Sequence, residues 1–99
     1  MSKSVSELNK ENADYYGYEA QSSQLIEECA ELIQAVSKFR RAETEKMEEI
    51  ALANYIEEIA DVELMLGQIK YLLQIPEDEL EAVKLFKVNR TRERIQNSN

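Results

Sequence analysis

Ninety-nine residues with 20 acidic and 12 basic side chains, a formal charge of −8, make one small domain. The acidity argues against a nucleic-acid partner, because affinity for a phosphate backbone rests on Lys and Arg. The absence of His and the single Cys29 exclude an internal disulfide, a His-activated Ser or Cys nucleophile, and a zinc site built on nitrogen and sulfur.

Two Gly and one Pro against abundant Glu, Ala, Leu, Ile and Lys predict an all-α chain, with residues 1–99 forming one helical domain. No apolar run approaches the ~18 residues of a membrane span and no signal-peptide pattern opens the chain, so a cytoplasmic protein without a membrane partner is expected.

Residues 1–12 are polar and expected to be loose, with at most a helical turn after Ser4 or Ser6. Residues 13–20 (ADYYGYEA) gather three of the five Tyr around Gly17. Such a cluster either packs over the end of a bundle or offers Tyr16 as a platform for a flat ring. From about 19 to 40 the pattern is helical: Leu25, Cys29, Leu32, Val36 and Phe39 draw one apolar stripe, widened by Ile26 and Ile33. Residues 41–50 are highly charged and read as a loop or a short extra helix. A second helix is predicted over about 51–73, with Tyr55, Ile59, Val62, Leu66, Ile69 and Leu73 in the same stepping. Ala60, Leu64, Met65 and Leu72 add apolar positions beside that stripe, so the helix needs more than one neighbour. In so short a chain the extra neighbour is expected to be another subunit, an oligomer that completes the core. Pro76 stops the second helix and opens a third, about 77–95, with Glu77, Asp78 and Glu79 favourable in its first turn. Its second half turns basic, and residues 96–99 read as a frayed end.

One phrase occurs twice. Residues 25–32 read LIEECAEL and residues 55–62 read YIEEIADV, thirty positions apart. Each places two acids three residues apart beside the apolar stripe, Glu28 with Glu31 and Glu58 with Asp61. Antiparallel packing of the two helices brings these four carboxylates close together. A solvated surface would place Lys or Arg four residues after each acid; here those positions hold Leu32, Ala35, Val62 and Met65. Glu27 and Glu57 instead lie four residues before Glu31 and Asp61, like-charge pairs that cost about 0.2–0.5 kcal/mol each even when exposed. A divalent cation is the natural partner, and an all-oxygen donor set suits Mg²⁺, Mn²⁺ or Ca²⁺. No calcium-loop pattern is present. Mg²⁺ ordinarily shares its shell with phosphate oxygens. Lys84, Lys87, Arg90 or Thr91, and Arg94 share one broad face of the third helix, which either grips phosphate or simply offsets the acidic body.

These motifs resemble those of the MazG-like, all-α nucleoside triphosphate pyrophosphohydrolases. That family is marked by an EExxE motif on one helix, here Glu27-Glu28-Cys29-Ala30-Glu31, and an ExxD motif on the next, here Glu58-Ile59-Ala60-Asp61. The words EECAELIQAV and EEIADVELML, and the basic segment KLFKVNRTRERI, extend the likeness over about residues 15–95. The resemblance implies hydrolysis of a (d)NTP between its α- and β-phosphates, giving the monophosphate and pyrophosphate. It implies Glu28, Glu31, Glu58 and Asp61 as ligands of Mg²⁺, with Mn²⁺ as the alternative, and Glu27 as the group that orients or deprotonates the attacking water. It further implies Lys84, Lys87, Arg90 and Arg94 as phosphate contacts, Tyr16 as a base-stacking candidate, and assembly as a homodimer or homotetramer. Phosphoribosyl-ATP pyrophosphohydrolases have similar acids but carry a Tyr-His pair after the second motif, where this chain reads DVELMLGQIKYLL. The reading from another class is a non-enzymatic helical oligomerisation module.

Overall fold

Local capping sets the helix starts. A computed structural model describes residues 2–98, which hold three helices and no strand: α1 (Val5–Arg41), α2 (Glu45–Leu72) and α3 (Glu77–Asn97). Ser4 and Glu7 form a reciprocal capping box: the Glu7 amide donates to Ser4 Oγ at 3.1 Å and the Ser4 amide to Glu7 Oε1 at 3.3 Å. From that cap the chain stays helical well beyond the single turn expected after Ser4, so residues 5–12 are not loose. The expectation for Met1 and Asn99 lies outside the described residues. Thr44 caps α2 by accepting from the Met47 amide at 3.1 Å, with Glu45 and Glu48 in the first turn. The charged stretch after 44 is therefore the start of α2, six residues earlier than the hydrophobic stepping suggested. A helix can begin on its solvated side, where no apolar stripe announces it.

Gly17 divides α1. Its φ of 84° and ψ of 170° lie in a region almost reserved for glycine, and they turn one helix into two arms, residues 5–16 and 18–41. The short arm packs on the C-terminal half of α2. There Asn9 Nδ2 donates to the Leu64 carbonyl at 2.9 Å, and the Tyr71 hydroxyl donates to Asp14 at 2.8 Å. Gly67 permits this approach, since a Cβ there would stand 3.1 Å from Asn9 Nδ2.

The long arm runs antiparallel to α2, with Gln21 opposite Gln68 and Phe39 meeting Tyr55 edge-on at 5.8 Å between ring centroids. The three packed rods are thus the two arms of α1 and α2. After α2 the chain turns at Gln74 (φ 53°), where the Ile75 and Gln74 amides donate back to the Lys70 and Tyr71 carbonyls. Pro76 then precedes α3, with Glu77, Asp78 and Glu79 in its first turn. Among the described residues α3 packs against neither α1 nor α2. The radius of gyration, 17.3 Å, exceeds the ~13 Å of a compact chain of this length.

The interior is sparse. Among the described residues its buried apolar members are Ala13, Ala35 and Met65, and no large side chain is fully buried. Ile26 and Ile33, expected to widen the inward stripe of α1, are 72% and 70% exposed, and Phe86 on α3 is 67% exposed. Full burial of one such side chain contributes about 1.5–3 kcal/mol, so much of the chain's apolar content is uninvested in the monomer.

Gly17→Ala tests the corner. No atom lies near the added Cβ, so its cost is backbone strain alone, about 1–3 kcal/mol of unfolding free energy. Urea unfolding at fixed protein concentration measures it, and an unchanged midpoint would contradict the strained geometry.

Candidate metal centre

The antiparallel register makes the two copies of the repeated phrase face each other head to tail. Glu28 meets Asp61, and Glu31 meets Glu58. One oxygen each from Glu28, Glu31 and Glu58 lie within 4.8 Å of one another. Glu28 is buried, Glu58 and Asp61 are half-buried, and Glu31 opens to solvent. The acids occupy the packed face between the helices rather than the rim of an apolar stripe. Displacement of Ile26 and Ile33 to the outside is the other side of the same rotation.

Among the described residues no cation pairs with these acids. The ion pairs among the described residues are Lys3–Glu11, Lys70–Glu77 and Lys84–Glu81, all elsewhere. Glu28 Oε2 and Glu58 Oε2 are buried and receive no hydrogen bond. Orphaned buried acceptors of this kind are rare in folded proteins and call for a partner. Burial first, then the facing Asp61, pushes the Glu28 carboxyl above the ordinary glutamate value; burial and then Glu31 do the same to Glu58. The donor chemistry, carboxylate oxygens with no nitrogen or sulfur, fits a hard divalent cation.

Amide side chains that the sequence reading passed over complete the surroundings. Gln24 Nε2 donates to Glu28 Oε1 at 3.0 Å. Buried Gln21 donates to buried Gln68 at 2.7 Å, and Gln68 donates to Asn9 at 2.8 Å. Because the Leu64 carbonyl can only accept, it fixes the Asn9 amide and, in turn, the direction of the whole chain. A cleft of about 220 Å³ opens beside Glu28 and Asp61, with Asn9, Asn12, Gln24 and Gln68 in its walls. The available signal was spacing: Gln21, Gln24 and Glu28 fall on one inward face of the helix.

The remaining candidates lie apart. Glu27 is exposed, one residue from the cluster but on the outer side of α1. Lys84, Lys87, Arg90 and Arg94 are exposed on α3, with Lys84 held by Glu81 at 3.3 Å and Arg90 over the Phe86 ring. Because α3 does not fold back, a single chain does not bring this basic face to the acids. Tyr16 is 61% exposed at the Gly17 corner, edge-on to Tyr15 at 4.9 Å, and stands on the short arm, across that corner from Glu28. Among the described residues no helix is long and apolar enough to cross a membrane. No protein-family model, curated protein or solved structure matches the chain.

The raised carboxyls fix the sign of a pH effect. A group whose pKa is higher in the folded state binds more protons folded than unfolded, so its contribution to stability falls as pH climbs from the ordinary glutamate range through the raised value. In metal-free buffer Glu28→Gln is expected to melt above the parent protein at about pH 8, and the gap is expected to close toward about pH 4, where free glutamates protonate. A gap that widens on acidification would contradict the site electrostatics.

Proposed function

We propose that the chain is a Mg²⁺-dependent nucleoside triphosphate pyrophosphohydrolase of the MazG-like kind, cleaving a (d)NTP to the (d)NMP and pyrophosphate. The observation that carries this reading is the pair of buried, unpartnered carboxylate oxygens, on Glu28 and Glu58, inside a convergence of acids without a protein cation. Glu28, Glu31, Glu58 and Asp61 would hold Mg²⁺, or Mn²⁺ in its place. The bound metal supplies charge stabilisation at the phosphoryl oxygens and a water of lowered pKa.

The chain's own groups do the rest. Glu31, the most exposed of the converging acids, faces the open side from which a triphosphate arrives. Glu27, next to the ligands in sequence but exposed on the outer side of α1, orients or deprotonates the water that attacks the α-phosphorus as pyrophosphate leaves only if the bound state brings it round to the cluster. Lys84, Lys87, Arg90 and Arg94 meet the phosphates only if α3 is docked, and Tyr16 stacks on the base only if the assembly brings the Gly17 corner to the substrate. Both conditions, with the exposed Ile26, Ile33 and Phe86, support a homodimer or homotetramer in which α3 packs against a second copy. An acidic protein whose only cysteine is free suits a reducing cytoplasm. The same exposed apolar surface favours a second reading, a helical oligomerisation module without catalysis.

Pyrophosphate release separates the two readings. With Mg²⁺ and a panel of (d)NTPs, turnover is expected on at least one nucleotide, and the double variant Glu31→Gln, Asp61→Asn is expected to lose about a hundredfold or more. No release from any nucleotide, with no Mg²⁺-dependent rise in Tm, leaves the oligomerisation module. Sedimentation equilibrium is expected to give a dimer or tetramer at micromolar concentration; a monomer would remove the basis for phosphate contacts from α3.

A further inference from the structure

We infer that Gln24 is a positioning residue for the metal centre, fixing the plane of the Glu28 carboxylate so that its unpartnered oxygen is aimed at the cation; this rests on the metal-binding reading above. Glu28 is 9% exposed, yet it has one hydrogen-bond donor, Gln24 Nε2, at 3.0 Å on Oε1. Its other oxygen, Oε2, is buried with no donor. The terminal torsion of a glutamate is broad, so the plane of an untethered carboxylate swings over a wide range. The Gln24 hydrogen bond to one oxygen narrows that range and leaves the other, Oε2, held in one direction and free to ligate.

The chemistry of the tether matters as much as its place. Gln24 lies one helical turn before Glu28, where a Lys or Arg would also reach the carboxylate. A cationic side chain there would neutralise the acid and compete with a metal. An amide donates a hydrogen bond and leaves the negative charge intact, which is the role of outer groups that orient metal ligands.

The second copy of the phrase provides an internal contrast. Asn54 stands four residues before Glu58, as Gln24 stands before Glu28, but its side chain is one methylene shorter. Among the described residues it makes no hydrogen bond to Glu58. The tether is therefore one-sided, and it holds the more deeply buried of the two acids.

The test is a Mn²⁺ titration of the full-length chain by calorimetry, with melting in metal-free buffer recorded beside it. Gln24→Met keeps the length of the side chain and removes the donor; Gln24→Asn keeps the amide and removes the reach. Each is expected to weaken Mn²⁺ binding by ~10-fold or more, with the metal-free Tm close to that of the parent protein. Asn54→Ala is expected to bind within about twofold of it. At saturating Mn²⁺ any pyrophosphate-releasing activity of Gln24→Met is expected to return toward the parent rate, because the inferred role of Gln24 is exercised through Glu28 alone. Parent-like Mn²⁺ affinity in both Gln24 variants, with Glu28→Gln abolishing binding, overturns the inference and leaves the metal reading standing. Weakening that only follows a drop in metal-free Tm overturns it in favour of a purely structural role. A parent protein that binds no Mn²⁺ removes the metal reading itself, and this inference with it.

Discussion

Everything in the molecule turns on two helices that pack with their acids facing inward. Antiparallel pairing of the long arm of α1 with α2 sets Glu28 against Asp61 and Glu31 against Glu58, with no Lys or Arg in reach. Like charges in a partly desolvated space oppose folding, and leaving one of them unpaired costs several kcal/mol when burial is deep. Partial protonation relieves that cost, which is why both glutamate carboxyls titrate high. A divalent cation relieves it more completely, because it satisfies the orphaned oxygens as well as the charge. On this account the metal is part of the fold's stability and not only of its chemistry.

The same arrangement explains the distribution of apolar residues. With carboxylates and amides holding the space between the helices, the isoleucines of α1 face outward, and the buried apolar side chains among the described residues are two alanines and one methionine. The short arm after Gly17 supplies a third rod, and its hydrogen bonds to Leu64, Gln68 and Tyr71 lock it over the acid pair. Such a core is too small to hold a 99-residue chain comfortably. Under the proposed oligomer, a second copy would cover the exposed faces of α1 and α2 and give α3 a surface to dock on. On the proposed reading, association would serve two ends, burying the apolar surface and bringing the basic face of α3 toward the acids.

Fold and site were unequally legible in the residues. The all-α class, the break at Pro76 and the pairing of the two acidic motifs follow from composition, proline chemistry and a thirty-residue repeat. The length of α1 does not: residues 5–16 form a polar helix whose apolar content is too thin to draw a stripe, and only the Ser4–Glu7 cap betrays it. The onset of α2 at Glu45 was hidden for the same reason, behind exposed charge. Hydrophobic stepping also placed Ile26 and Ile33 inside and the acids on a rim, because periodicity assumes that the buried face is the apolar one. A site that puts carboxylates in the interior inverts that assumption. Gln24, Gln21 and Gln68 were overlooked on the same ground, as amides on an inward face read as surface until their partners across the helix pair are known. The basic residues of α3 share a face as expected, but their distance from the acids depends on packing that one chain does not possess.

The central claim is that the converging carboxylates of α1 and α2 hold a divalent cation. Anomalous diffraction from crystals grown with Mn²⁺ tests it most directly. The account predicts a manganese peak at coordination distance from oxygens of Glu28, Glu31, Glu58 and Asp61, with Glu28 Oε2 and Glu58 Oε2 among the ligands. Well-ordered carboxyls in mutual contact, with no anomalous density between α1 and α2, would contradict it.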